Sequence, residues 1–118
     1  MENHDKVKFI ERISKLRNDN NLSARKLSNL IGKNYGYINK LECDKDFLPT
    51  IDTLFDILEA CNTTPAEFFY YDPSQYKNDK DIIELLSKVD EDTKNAVITM
   101  LKKIKNREWK LKITLFFC

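Results

Sequence analysis

Apolar residues recur along this chain at steps of three and four, the spacing that lines one face of an α-helix. Phe9, Ile13 and Leu16, with Ile10 beside them, predict a first helix beginning near Asp5. Asn18-Asp19-Asn20-Asn21 ends it, because Asn and Asp side chains compete for the backbone's hydrogen bonds. Ser23 stands where an N-cap belongs. A second helix follows with Leu27, Leu30 and Ile31 inward, and Gly32 ends it where a left-handed C-cap is favoured. Only Lys33 and Asn34 separate it from a third short helix, Tyr35 to Glu42. For that helix Asn34 is the expected cap, and Ile38 and Leu41 form the inward face.

Cys43 to Pro49 reads as a loop leading to a fourth helix capped by Thr50, with Ile51, Leu54, Phe55 and Leu58 on its apolar face. Thr64-Pro65-Ala66-Glu67 has the form of a capping box, with proline at the first helical position where its missing N–H costs nothing. Phe68 and Phe69 are expected to close the core from this fifth helix. Tyr71 to Gln75 reads as a boundary, dividing the chain into residues 1–72 and 73–118. Beyond it, Ile82, Ile83, Leu85, Leu86 and Val89 predict a short helix. A further helix opens on Asp90-Glu91-Asp92 and carries Lys102, Lys103 and Lys105 near its end, as the helix dipole prefers. The two would make a helical hairpin.

Composition fits an ordered, all-helical protein. Only two glycines and three prolines occur in 118 residues, a third of which are charged. Three scattered cysteines, Cys43, Cys61 and Cys118, form neither a disulfide framework nor a CxxC zinc pair, and a reducing cytoplasm is the expected setting. The polar start Met1 to Lys6 gives no expectation of a secretory signal, and no stretch has the length of a membrane span. His4 is the lone histidine, and Ser23 has no base placed to activate it, so neither enzyme activity nor a metal or other cofactor is expected. Net charge is +1, but unevenly laid out. Residues 1–45 carry +4, residues 46–72 carry −6 with no basic side chain, and the remainder carries +3.

Two short helices joined by a glycine-bearing turn make a helix-turn-helix pattern. The run Leu22-Ser23, Leu27-Ser28, Ile31-Gly32, Tyr37-Ile38, Leu41-Glu42, Pro49-Thr50, Leu54 and Thr64-Pro65-x-Glu67-Phe68-Phe69 resembles the lambda-repressor-like (Xre) helix-turn-helix family over about residues 7–70. The segment Leu85 to Lys105 is also similar to the C-terminal hairpin of short bacterial regulators in that family. The resemblance implies a five-helix DNA-binding domain that inserts the motif's second helix, residues 35–42, into the major groove. It implies base contacts from Tyr35, Gly36, Asn39 and Lys40, and phosphate contacts from Arg25, Lys26, Lys33, Asn34, Tyr37 and Lys45. Spacing agrees in part: with Ile38 and Leu41 inward, positions 36, 39 and 40 fall on opposite or flanking faces. Asn can pair with adenine N6 and N7, and Lys can donate to guanine O6 and N7. Three positions depart from the family pattern. Ala24 stands where Gln is common, Gly36 removes a reading side chain, and Cys43-Asp44-Lys45-Asp46 puts two acids near expected phosphates.

The C-terminal segment admits two readings. Val97, Leu101, Ile104, Leu111 and Leu115 follow a four-three spacing, broken by Glu108, that suits a self-associating helix. Trp109, Leu111, Ile113 and Leu115 also alternate with polar residues, which is strand spacing. Lys102 to Lys112 holds six basic residues and one acid, a possible basic patch. Self-association is favoured, because the apolar end Leu115-Phe116-Phe117 needs cover. The expected protein is a homodimeric regulator, a repressor before an activator, on a palindromic double-stranded DNA operator, with no dedicated ligand-sensing domain. The alternative is a protein-interaction module, such as an antitoxin masking a toxin, for which the acidic stretch after Asp46 speaks.

Overall fold

The computed structural model describes the backbone of residues 4–117 and the side chains of residues 4–107. Seven α-helices and no strand occur among the described residues: α1 His4–Asp19, α2 Ala24–Leu30, α3 Tyr37–Cys43, α4 Ile51–Ala60, α5 Pro65–Phe68, α6 Tyr76–Leu86 and α7 Glu91–Phe117. A 3-10 turn, Pro73–Gln75, precedes α6. The chain divides into two compact units, Met1–Ser74 and Gln75–Cys118.

The first unit is built from helices whose ends are fixed locally. The Ser23, Thr50 and Thr64 hydroxyls accept from the backbone N–H groups of Lys26, Thr53 and Glu67, respectively, so these three expected caps occupy their expected places. The Glu67 carboxylate, instead of completing the box on Thr64, accepts from the Thr63 hydroxyl at 3.0 Å. Helices α1, α2 and α4 are each followed by a residue with positive φ: Asn21 at 57°, Gly32 at 73° and Asn62 at 54°. In each case the next N–H reaches back to a carbonyl five residues earlier: Leu22 to Arg17, Lys33 to Ser28 and Thr63 to Leu58. That bond satisfies an end carbonyl and turns the chain.

Ile13, Leu27, Ile38, Leu41, Ile57, Leu58, Cys61 and Phe68 form the core, drawn from all five helices and the end of α4. Each fully buried Leu or Ile contributes about 1.5–3 kcal/mol by leaving water. Phe9 of α1 meets Phe68 edge to face, with centroids 5.7 Å apart. Arg12 of α1 donates to the carbonyls of Phe68 and Tyr71, which ties the end of α5 to the first helix. Leu30, Phe55 and Phe69, expected inward, are instead half or more exposed, as is Ile51. A short helix has room for only two or three inward positions, and Leu27, Ile57, Leu58 and Phe68 already fill them.

In the second unit α6 begins at Tyr76, six residues ahead of the apolar positions that predicted it, and no α6 side chain is buried. Asp90 caps α7, accepting from the Thr93 N–H at 2.8 Å; hydrogen bonding from the Thr93 side chain first, and from this N–H second, holds its carboxyl below the ordinary range. Helix α7 then runs unbroken to Phe117, so the strand reading of residues 109–115 does not hold. No glycine or proline occurs after Pro73, and nothing interrupts the helical ladder. Of the expected four-three stripe, Val97 is half-buried and Leu101 and Ile104 are exposed, while Leu111 and Leu115 lie outside the described side chains. No helix among the described residues is long and apolar enough to cross a membrane.

Candidate nucleic-acid interface

The candidate interface is assembled where α2 meets α3. Ser28, fully buried on α2, donates through Oγ to the Ala24 carbonyl at 2.8 Å and accepts from the backbone N–H of Ile38 at 3.0 Å. The first turn of α3 has unfilled N–H groups, and its cap residue Gly36 has no side chain to offer them. Ser28 supplies that acceptor from the neighbouring helix. A second brace acts at the other end of α3. Arg17 of α1 grips Glu42 with two bonds, Nε to Oε1 at 2.7 Å and Nη2 to Oε2 at 3.1 Å, and donates to the Leu22 carbonyl at 2.8 Å. Both side chains are mostly buried, and the hydrogen bond to Glu42 raises the guanidinium further above its ordinary value.

Helix α3 begins at Tyr37, two residues later than expected. Asn34 is not its cap. The Asn34 Oδ1 accepts from the Gly36 N–H at 3.0 Å and its carbonyl accepts from the Tyr37 N–H, so it organises a turn holding Tyr35 and Gly36 ahead of the helix. The exposed Asn34 keeps its amide N–H groups, the donors a phosphate contact would use.

With Ile38 and Leu41 fully buried, Asn39 and Lys40 stand exposed on the outer side of α3, and Tyr35 is exposed just before it. Three cations in this region each lie over an aromatic ring. Arg25 sits 5.3 Å from the Tyr35 ring centre, Lys33 5.6 Å from Tyr37, and Lys40 4.6 Å from Phe47. Tyr37 and Phe47 meet edge to face at 5.4 Å, joining the second and third pairs. Such stacking holds a flexible cation by about 0.5–1 kcal/mol while leaving its charge outward. Lys33 and Lys40 are thus joined through Tyr37 and Phe47, and Arg25 stands over Tyr35 ahead of α3; Lys26 is exposed in the first turn of α2 and Lys45 in the α3–α4 loop.

Tyr37 also reaches α4, where Thr53 is its hydrogen-bond partner. It is half-buried, and burial raises its phenol above the ordinary value against a smaller opposing effect from a hydrogen bond with Thr53. Its ring supports Lys33, and its hydroxyl turns to α4. Of the two acids in the following loop, Asp44 folds back to accept from the Asp46 N–H at 3.0 Å. Asn39 Oδ1 accepts weakly from the exposed Cys43 thiol, 3.7 Å away and one turn on.

Ser28, Phe47, Cys43 and the Arg17–Glu42 pair were not singled out by sequence for this site. A serine at an inward helical position is the one sequence signal that points to Ser28. No local pattern marks a pair 25 residues apart.

Residues 13–68 match the profile of a family described as Helix-turn-helix. Among curated proteins and solved structures, no match to the chain was found. The matched segment spans every element of the site, from Ile13 in α1 to Phe68 in α5. Residues 13–68 thus form a helix-turn-helix domain of the lambda-repressor-like (Xre) kind, a domain that binds DNA in regulators.

Proposed function

We propose that this protein is a sequence-specific repressor that binds a palindromic operator as a homodimer, with α3 in the major groove. One observation carries the reading. Asn39 and Lys40 face solvent from a helix whose other side is fully buried and whose two ends are bonded to α2 and α1. Held in this way, they meet base edges without first being ordered, and less entropy is lost on binding. Asn39 is assigned to adenine, Lys40 to guanine, and Tyr35 to a thymine methyl or phosphate, with Gly36 permitting close approach of the backbone. Arg25, Lys26, Lys33 and Lys45 serve the phosphates; Asn34 and Tyr37 contribute mainly by shaping the turn. Residues 1–72 bind DNA and residues 73–118 self-associate, placing two α3 helices about 34 Å apart, one turn of the duplex.

Selection from a random duplex library with the full chain tests this. Wild type should enrich a two-fold symmetric motif, and an Asn39→Ala/Lys40→Ala variant should lose it. If neither protein enriches any sequence at low salt, the reading fails.

A second reading, a protein-interaction module such as an antitoxin, draws on a separate surface. Ile51 and Phe55 are exposed on α4 beside Asp52, Asp56 and Glu59, an apolar and acidic face unsuited to phosphate. It predicts partner binding that survives the Asn39→Ala/Lys40→Ala change and is insensitive to DNA.

A further inference from the structure

The second unit leaves its apolar side chains uncovered. Ile82, Ile83 and Leu85 of α6 and Ile98, Met100, Leu101 and Ile104 of α7 are all exposed, Leu85 by 65% and Leu101 by 53%. No described side chain of this unit is buried. A 27-residue helix, roughly 40 Å long at 1.5 Å per residue, is marginal in water without a packed face. Something must cover it.

The charges along α7 select the cover. Asp90, Glu91 and Asp92 stand at its start, and six cations, Lys102, Lys103, Lys105, Arg107, Lys110 and Lys112, follow from its middle onward with Glu108 the one acid among them; Lys94 is the one cation between. Two copies of this helix side by side in parallel would set the six cations against the same six cations. Running in opposite directions, they set each acidic start against a basic stretch. The apolar spacing accepts that arrangement. With a two-fold axis crossing α7 near Thr99, Val97 of one copy lies opposite Leu101 of the other. The Lys94 stem then lies opposite Ile104, and Glu91 comes within reach of Lys105. Ile98 and Met100 flank this seam.

We infer that α7 is the self-association surface, and that it pairs antiparallel with the α7 of a second copy of this chain. The inference rests on the homodimer of the preceding section and adds the face and the direction of pairing. An antiparallel pair has a two-fold axis across it, the symmetry that a palindromic site requires.

The test is sedimentation equilibrium of the full chain without DNA, with helicity followed by circular dichroism. Wild type should dimerise. Glu91→Lys/Asp92→Lys and Lys105→Glu/Arg107→Glu should each weaken the dimer about tenfold, since each turns the two symmetry-related Glu91–Lys105 attractions into repulsions. Combining all four changes in one chain should bring affinity back to within about twofold of wild type, on the same scale. A parallel pair would meet like charge with like in every variant, so single sets that leave affinity unchanged overturn the antiparallel direction. A wild type that stays monomeric overturns the inference and leaves the face to another protein. Sequence recognition is judged separately by library selection, so the two readings fail independently.

Discussion

The Oγ of Ser28 lies 3.0 Å from the backbone nitrogen of Ile38, and this one bond fixes where the outer helix of the motif begins relative to the inner one. Ser28 has no exposure, so no water can replace it. Ser28→Ala strands the Ile38 N–H in an apolar site, which should cost about 1–3 kcal/mol of stability in urea melts. Ser28→Thr keeps an acceptor and should lose less unless its methyl is crowded. An alanine variant as stable as wild type would show that the bond holds nothing.

Arg17 and Glu42 are bonded at two points and largely shielded from water. Removing one partner leaves a buried charge alone, so Arg17→Met should cost about 3–5 kcal/mol in equilibrium unfolding. The double variant Arg17→Met/Glu42→Leu should recover most of that loss, because neither charge remains to be solvated. Equal losses in the single and double variants would refute this account of the pair.

Phe47 lies under Lys40 and against Tyr37. Phe47→Leu keeps an apolar side chain but removes the ring face. DNA affinity should fall about two- to fivefold, the size of one exposed cation–π contact. The dependence of affinity on salt should be unchanged, since no charge is lost. A shallower salt dependence would mean that Lys40 had been displaced from the DNA altogether.

The two glycines should respond differently to alanine. Gly32 has a φ of +73°, so Gly32→Ala is strained by about 1–2 kcal/mol and should lower the melting midpoint. At Gly36 an added Cβ would meet only Asn34 Oδ1, at an ordinary 3.6 Å, and φ is −94°. Gly36→Ala should therefore leave stability within about 0.5 kcal/mol. If the backbone approaches the duplex closely there, the same variant loses DNA affinity while still folding normally. Unchanged affinity would remove Gly36 from the contact surface.

Burial pushes the Cys61 thiol up, with the Arg17 charge opposing this in part. Of the two described thiols, exposed Cys43 should react with iodoacetamide in the folded protein and Cys61 should be protected, as peptide mass mapping would show. The unfolded thiol ionises before the folded one. Stability held by neutral Cys61 is therefore intact below the ordinary thiol range and is lost as pH rises through it. Urea midpoints measured from about pH 7 to about pH 10 should fall more steeply for wild type than for Cys61→Ala. Parallel curves would contradict the assignment.

The helix ends were legible because they are local. Ser23, Thr50, Thr64 and Gly32 act within a few residues of themselves, and each does what its type predicts. So were Ile13, Leu27, Ile38 and Leu41, where periodicity and burial coincide. Asn34 misled because the same side chain can cap a helix or close its own turn, and only the position of Ser28 decides between them. Leu30, Phe55 and Phe69 show a different limit. Periodicity marks an apolar face, but the width of the neighbouring helices determines how much of it is covered. The end of α7 was ambiguous because residues 109–115 satisfy both periods, and the absence of any breaker after Pro73 resolves it as helix. At the candidate interface, Asn39 and Lys40 could be anticipated from their offset to Ile38 and Leu41. Their aromatic supports could not, since Phe47 reaches Lys40 through a loop.

Because Ile38 and Leu41 are sealed inside while positions 35, 36, 39 and 40 contribute nothing to the core, the domain separates its vocabulary from its grammar. Under the proposed function, descendants of this chain can exchange the outward residues one at a time and acquire new operators without passing through an unfolded intermediate. Drift at Ser28, Arg17 or Glu42 meets the opposite fate, since a change there disturbs every possible target at once.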